Sequence, residues 1–393
     1  MRLRPPSGDI KYGLRRAHSR KGLSISVHQQ SAFSVPDTAE GLTYPGDYAE
    51  LRSWFRTDAA CLDYLDLLRW PDGFVCPHCV DVGSWRLPDG RHKCQGCRRR
   101  VSATAGTIFH GTKTPLTLWF AAAWEMTTRK KGVSAFCIQQ TLGVGSYQTA
   151  WAMLHRHRTV MVLPGRDLLR GEVEVDETFV GGPRAGKRGW GATNKTTVIV
   201  AVERHQPRGF GRCRLGVIPN AQGATLKIWL EANVEPGSTL VTDGLLSYGS
   251  AAAESYVHEP FNVKASGQPA HIPLPGVHRA ASLFKRWLLG TTQGAVDADH
   301  LPSYLNEFVF RFNRRTARHR GLLFQRLLAQ AVQGQPRTFK SLVAKPAPRA
   351  VEIRPATVKR VRPKTPDLHV ADTYPWRDPG TLDPRSNPLQ TVH

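Results

Sequence analysis

The sequence predicts a mixed α/β fold preceded by a small metal-bound ribbon and a helical segment. Three observations carry that reading. Two CxxC pairs, "CPHC" and "CQGC", stand fourteen residues apart. Residues 113 to 162 carry helical patterning, broken at "LGVG". From residue 171 the pattern changes to strand-like segments, then a helix, then another apolar strand, the order of a mixed sheet with helices packed on it.

The 393 residues leave room for two or three domains, and a hydrophobic content of 40% suffices for a sizeable core. The charge is unusual: 54 Lys and Arg against 31 Asp and Glu give +23. A polyanion is the expected partner, nucleic acid ahead of an anionic membrane surface. No apolar run approaches the ~20 residues of a spanning helix, so no membrane insertion is expected. The start, "MRLRPPSGDIKYGLRRAHSRKG", lacks the apolar core and cleavage site of a secretory signal, which points to the cytoplasm. Residues 1–42 and 341–393 are basic and rich in Pro, and both read as disordered tails, the second suited to gripping phosphates. Between them the expected divisions are 43–105 for the ribbon with its leading helices, 106–165 for the helical segment and 166–340 for the α/β domain.

"YAELRSWFRTDAACLDYLDLLRW" (48–70) reads as one or two short helices. The paired cysteines follow. An odd total of seven, in a chain without a secretory signal, argues for a metal site and against a disulfide framework. Each CxxC turn sets two thiolates side by side, so Cys76, Cys79, Cys94 and Cys97 can close a tetrahedral shell around Zn2+. No position is left for a substrate, which makes the zinc structural. "SWRLPDGRHKC" between the pairs alternates around a "PDG" turn, as short ribbon strands do. His78 and His92 lie nearby, but four sulfurs complete the shell. Arg98, Arg99 and Arg100 place charge beside the second knuckle, either as a DNA-gripping patch or as a solvated face.

"SAFCIQQTLGVGSYQTAWAMLHRHRTVM" reads as two helices around a Gly turn, the pattern of a helix-turn-helix and equally of an ordinary bundle. Phe136, Ile138 and Leu142 form the expected apolar set of the first helix. Ser146 is the expected N-cap of the second. The outward positions of the second helix include Tyr147, Gln148, Arg156 and Arg158, which would suit a recognition helix.

The stretch "GEVEVDETFVGG" (171–182) places Glu172, Glu174 and Asp176 on one face of a strand. Acids gathered in so basic a chain need a counter-charge, either neighbouring Arg or Lys or a divalent cation. Mg2+ takes carboxylate oxygens and substrate phosphate, and paired ions of this kind serve phosphoryl transfer. The strands "KTTVIVAVER" and "RCRLGVIP" and the helix "ATLKIWLEANV" follow. The apolar segment "STLVTDGLLSYG" then ends at Asp243, where a sheet edge would present a second carboxylate. Helices are expected near 278–289 and 299–313. On the first, His278 and Lys285 are seven residues apart and share a face.

With these segments in hand, the chain resembles the insertion-sequence transposases of the DDE superfamily, in the ISXO2-like branch that carries an N-terminal zinc ribbon. The matching stretches are "CPHC…CQGC", "VEVDETFVGG", "LVTDGLLSYG", "VHRAASLFKRWLLGTTQGAV" and "HLPSYLNEFVFRFNRR". The resemblance implies a ribonuclease-H-like fold and Mg2+- or Mn2+-dependent DNA cleavage and strand transfer. It further implies inverted-repeat element ends and target DNA as partners, a homo-oligomer on DNA, and a bacterial cytoplasmic protein at the nucleoid. Asp176 matches the first catalytic acid and Asp243 the second. Lys285 matches a basic residue two turns after the third acid, and Arg286 beside it joins the DNA-contact candidates. Position 278 departs from the pattern: His278 stands where the family often has Glu. Three readings stay open there: His278 ligates in its place, with a preference for Mn2+; Glu307 ligates instead; or the copy is inactive. A zinc-ribbon DNA-binding regulator without catalysis explains the charge and the cysteines equally well, but not the two strand-terminal Asp residues. Glu174 and Glu177 are expected either to buttress Asp176 or to pair with a nearby Arg.

Overall fold

Alternation, caps and turns lay out the elements in chain order. The computed structural model describes residues 43–163, 165–181, 195–205, 209–261, 267, 272–293 and 296–344. The basic tails fall outside these residues, apart from 341–344. Helices α1 (Tyr48–Trp54) and α2 (Asp58–Arg69) begin at Asp47 and Thr57, whose side chains accept the N–H groups of Glu50 and Ala60. Such caps satisfy donors that the first helical turn leaves open. Strands β1 (Ser84–Arg86), β2 (His92–Cys94) and β3 (Arg100–Val101) form an antiparallel three-stranded sheet.

Helices α3 (Leu116–Thr128), α4 (Ala135–Leu142) and α5 (Tyr147–Val160) follow. Gly143, with φ of 65°, ends α4 in the left-handed conformation that glycine adopts without strain. Ser146 caps α5, accepting from Thr149 N. The break at "LGVG" is therefore where the sequence put it. Two expectations fail here. Phe136 is 62% exposed, and Ala135 faces the core in its place beside Ile138, which is buried as expected. Arg158 does not face outward either: it is 1% exposed, because α5 packs on both sides.

Strands β4 (Glu172–Val180), β5 (Thr196–Arg204) and β6 (Phe210–Ile218) form an antiparallel meander. Helix α6 (Gly223–Glu231), strand β7 (Thr239–Thr242), helix α7 (Leu246–Ala252) and strand β8 (Val257–Pro260) complete a five-stranded sheet in the order β6-β5-β4-β7-β8. β7 runs parallel to β4, and β8 parallel to β7. A three-stranded meander extended by two parallel strands is the ribonuclease-H-like arrangement. Helices α8 (Pro275–Thr292), α9 (Leu301–Phe312), α10 (Arg320–Ala331) and α11 (Phe339–Val343) end the described chain.

Period-two alternation sends the sheet's side chains into two cores. Val173, Val175, Ile199 and Ala201 meet Leu226, Leu230 and Tyr248 of α6 and α7. Val198, Val200 and Val202 meet Val277, Phe284, Leu305 and Phe308 of α8 and α9. A third core joins α2, α3 and α5 to α10 through Phe120, Met153, Phe324 and Leu328. The sequence reading did not anticipate α10, although "GLLFQRLLAQA" carries helical spacing. It also passed over α7 and β8, which are short and, in β8, largely exposed.

Candidate active site

Sheet register brings the two aspartates together. In the parallel pairing of β4 with β7, Val175 lies opposite Thr242. The next residues are Asp176, which lies in the middle of β4 and not at a strand end as expected, and Asp243, just past the carboxyl end of β7, where α/β sheets place their sites. Gly244, with φ of 83°, turns the chain immediately after Asp243. The Asp243 carboxylate accepts from Leu245 N at 3.1 Å, which fixes it in the turn. The third element is α8, whose His278 Nε2 lies 3.8 Å from Asp176 Oδ2. Lys285 stands two turns further along α8, within electrostatic reach of Asp176.

The other acids of β4 divide by face. Glu172 and Glu174 share the Asp176 face and pair with Arg204 of β5. Glu177 points to the opposite side, where the Tyr248 hydroxyl donates to it. Pairing with Arg is thus right for Glu174 and wrong for Glu177, whose partner is a tyrosine on α7. Glu307 is engaged elsewhere. It is fully buried and takes an N–H from Arg158 at 2.8 Å, with Arg311 at 3.7 Å. That engagement with Arg158 weighs against Glu307 as the third ligand and explains why Arg158 faces inward.

Electrostatics of the aspartate pair suit a cation. Burial, with the charge of Asp243 beside it, pushes the Asp176 carboxyl up from 3.8 to about 6. Burial pushes Glu177 up to about 7, with Asp176 and Asp243 adding to it and Tyr248 opposing it. Among the described residues, no Arg or Lys makes a salt bridge to Asp176 or Asp243. Two acidic oxygen donors and an imidazole fit a divalent ion of the Mg2+ or Mn2+ kind. Asp176, Asp243 and His278 are not as closely gathered as the cysteines described below, the one group of three or more metal-capable side chains within 4.8 Å of one another among the described residues.

A pH dependence follows. A carboxyl raised on folding costs no stability below its unfolded pKa and costs progressively more as pH rises through its folded pKa. For Asp176 that window runs from 3.8 to about 6, and for Glu177 from 4.5 to about 7. Without added divalent ion, stability should fall across that range. The melting temperature gained on adding Mn2+ should be small at pH 5 and full at pH 8. In the Asp176→Asn variant the Mn2+ gain should be absent at both.

The cysteine cluster is closed. Cys76 and Cys97 sulfurs lie 3.6 Å apart and those of Cys79 and Cys94 lie 3.5 Å apart, close to the ~3.8 Å that tetrahedral zinc imposes at a Zn–S distance of ~2.3 Å. Val80 and Arg98, each directly after a CxxC, adopt positive φ of 63° and 59°, and their N–H groups return to the carbonyls of Cys76 and Cys94. His92 is committed elsewhere: Nε2 meets Asp66 at 2.9 Å and Nδ1 meets Ser84 at 3.0 Å. Replacing Cys94 with Ser should lose the bound zinc and unfold the ribbon, as zinc titration and circular dichroism would report.

The DNA-contact candidates separate by position. Arg98, Arg99 and Arg100 are exposed on the ribbon, with Arg98 over the Trp85 ring at 4.9 Å. Gln148 is exposed at the start of α5. Arg156 is half-buried and donates to the Arg337 carbonyl at 2.7 Å, beside Phe339. Lys285 and Arg286 line the exposed side of α8. A groove of about 480 Å³ runs beside that helix, lined by Phe210, His278, Arg279, Ser282 and Arg286 among others. Arg204 and Tyr248, which sequence reasoning missed, hold acids of β4. Arg204 ends a β-branched strand and Tyr248 sits in a short Ser/Gly-rich helix, so neither carries a signal of its own.

Comparison with known families agrees with this geometry. Residues 168–313 match the ISXO2-like transposase domain, and residues 56–100 match the transposase zinc-ribbon domain. The first match spans β4 to α9 and the second α2 to β3. No curated protein and no solved structure matches significantly. None of the described helices is long and apolar enough to cross a membrane.

Proposed function

From the premise that this chain carries an ISXO2-like transposase domain behind a transposase zinc ribbon, we propose that it binds element ends and performs divalent-metal-dependent DNA cleavage and strand transfer. The observation that carries the proposal is the convergence of Asp176 from the middle of β4, Asp243 from the end of the parallel strand β7, and His278 from α8. Mg2+ or Mn2+ held by these three residues would neutralise charge at the scissile phosphate and activate the attacking oxygen. The chain's own groups do the rest. Lys285 and Arg286 bind backbone phosphate along α8, and Arg98, Arg99 and Arg100 hold the duplex from the ribbon. The excess positive charge draws DNA to a small acidic spot that would otherwise repel it. Element ends must meet for strand transfer, so a homo-oligomer on DNA is part of the proposal.

His278 in place of the usual Glu supplies an uncharged ligand. An ion held there would keep one more positive charge and be held less tightly, which would favour Mn2+. The test is strand transfer by zinc-loaded protein on labelled DNA bearing the flanking inverted repeats, with Mg2+ or Mn2+ added back after removal. Joining that requires the added ion, is faster in Mn2+ and is lost in His278→Ala supports the proposal. End binding without any cleavage would favour a regulator or an inactive copy. Joining in His278→Ala equal to the parent would move the third ligand elsewhere.

A further inference from the structure

We infer that Glu174, held by Arg204, is the positioning residue that sets His278 opposite Asp176. The inference rests on the reading of Asp176 and His278 as metal ligands. It begins with a helix that lacks its own cap. The residue before α8 is Leu274, which offers no side-chain acceptor, so the first N–H groups of the helix need a partner from outside it. Glu174 provides that partner. Its Oε2 accepts from Gly276 N at 2.7 Å and from Val277 N at 3.0 Å. The carboxylate is fully buried, and the positive end of a helix stabilises its charge.

Arg204 completes the clamp. It pairs with Glu174 at 3.0 Å and donates to the Pro273 carbonyl at 2.7 Å, so one guanidinium ties β4 to the chain entering α8. Gly276 leaves room for nothing else. A Cβ there would stand 2.9 Å from Glu174 Oε2 and 2.9 Å from the Phe210 ring. A side chain at 276 would push the helix away from the sheet.

The register gives the clamp its consequence. Glu174 and Asp176 are two residues apart on one face of β4. Gly276, Val277 and His278 all lie in the first turn of α8, whose leading N–H groups point toward Glu174. Glu174 holds the backbone N–H groups at the very start of α8, and with that end of the helix seated on β4 His278, in the same first turn, stands 3.8 Å from Asp176. A helix anchored only by its apolar face could slide or rotate by a fraction of a turn without losing much burial. A buried carboxylate bonded to two specific N–H groups fixes both rotation and height.

The experiment is a Mn2+ titration of the zinc-loaded full chain, followed by electron paramagnetic resonance, for the parent, Glu174→Gln, Gly276→Ala and His278→Ala, with circular dichroism and melting temperature alongside. Glu174→Gln keeps an acceptor for the helix but loses the charge that holds Arg204. We expect Glu174→Gln and Gly276→Ala to retain the fold and to weaken Mn2+ binding about tenfold to a hundredfold, the usual effect of removing a group that orients a ligand. His278→Ala added to Glu174→Gln should cost much less than it costs the parent, since the histidine is already displaced. Parent-like Mn2+ affinity in folded Glu174→Gln, or effects that simply multiply in the double variant, would overturn the inference. Failure of the metal-site reading looks different: the parent itself would then bind Mn2+ no better than Asp176→Asn, and the inference would fall with it.

Discussion

Asp243→Asn should reduce DNA cleavage by about a thousandfold or more while leaving end binding within about twofold of the parent. The magnitude is that of losing roughly 4 kcal/mol of transition-state stabilisation, within the several kcal/mol that a bound metal ion supplies in phosphoryl transfer. The substitution is sterically small, and the only described backbone tie of the Asp243 carboxylate is the 3.1 Å bond from Leu245 N, which an amide oxygen can still accept. The fold should therefore survive. It should even gain slightly above pH 6, because the Asn removes the charge that helps push Asp176 up. Rates on pre-bound DNA, binding measured separately and a melting curve check the three parts. A parallel fall in binding and stability would make Asp243 a structural residue.

Arg158→Ala should destabilise the folded chain by about 3–5 kcal/mol, the cost of stripping one partner from a buried ion pair. Arg158 and Glu307 are 1% and 0% exposed, and their 2.8 Å contact joins α5 to α9. The guanidinium also lies over the Tyr304 ring at 4.2 Å. Its neighbour His155 offers no alternative charge, since burial pushes that imidazole down to about 2 and keeps it neutral. Removing Arg158 leaves the Glu307 carboxylate with Arg311 at 3.7 Å as its remaining described cation. Glu307→Ala should cost a similar amount. Replacing both with Met should recover most of the loss, because burying two apolar side chains removes the desolvation that the pair must offset. Urea unfolding of the three variants is the measurement. A variant of normal stability that binds DNA poorly would restore Arg158 to the nucleic-acid face.

Much of the candidate site was legible as pattern. Asp176 was visible because it stands among acids alternating with valines, and Asp243 because it ends an apolar β segment, and a chain of net charge +23 does not gather carboxylates without cause. The zinc shell was visible because CxxC spacing is itself a geometry: two sulfurs on one turn need no tertiary information to be paired. The α4–α5 break was visible because Gly and Ser signal caps locally.

The sequence by itself therefore determined the local features: the four sulfurs, the strand faces, the caps and the presence of His278 where an acid is usual. Tertiary structure decided which way shared residues faced. Arg158 read as an outward recognition residue because helical periodicity shows what lies on a face, not how many neighbours cover the helix. Only the packing of α9 against α5, bringing Glu307 to it, made that face interior. Glu174 looked like one more acid beside Asp176, and only the arrival of an uncapped α8 roughly a hundred residues later made it a helix anchor. The physical reason is common to both. A charge buried far from its sequence neighbours is stabilised by a partner whose distance along the chain carries no periodic signal, so its role exists only once the chain has folded.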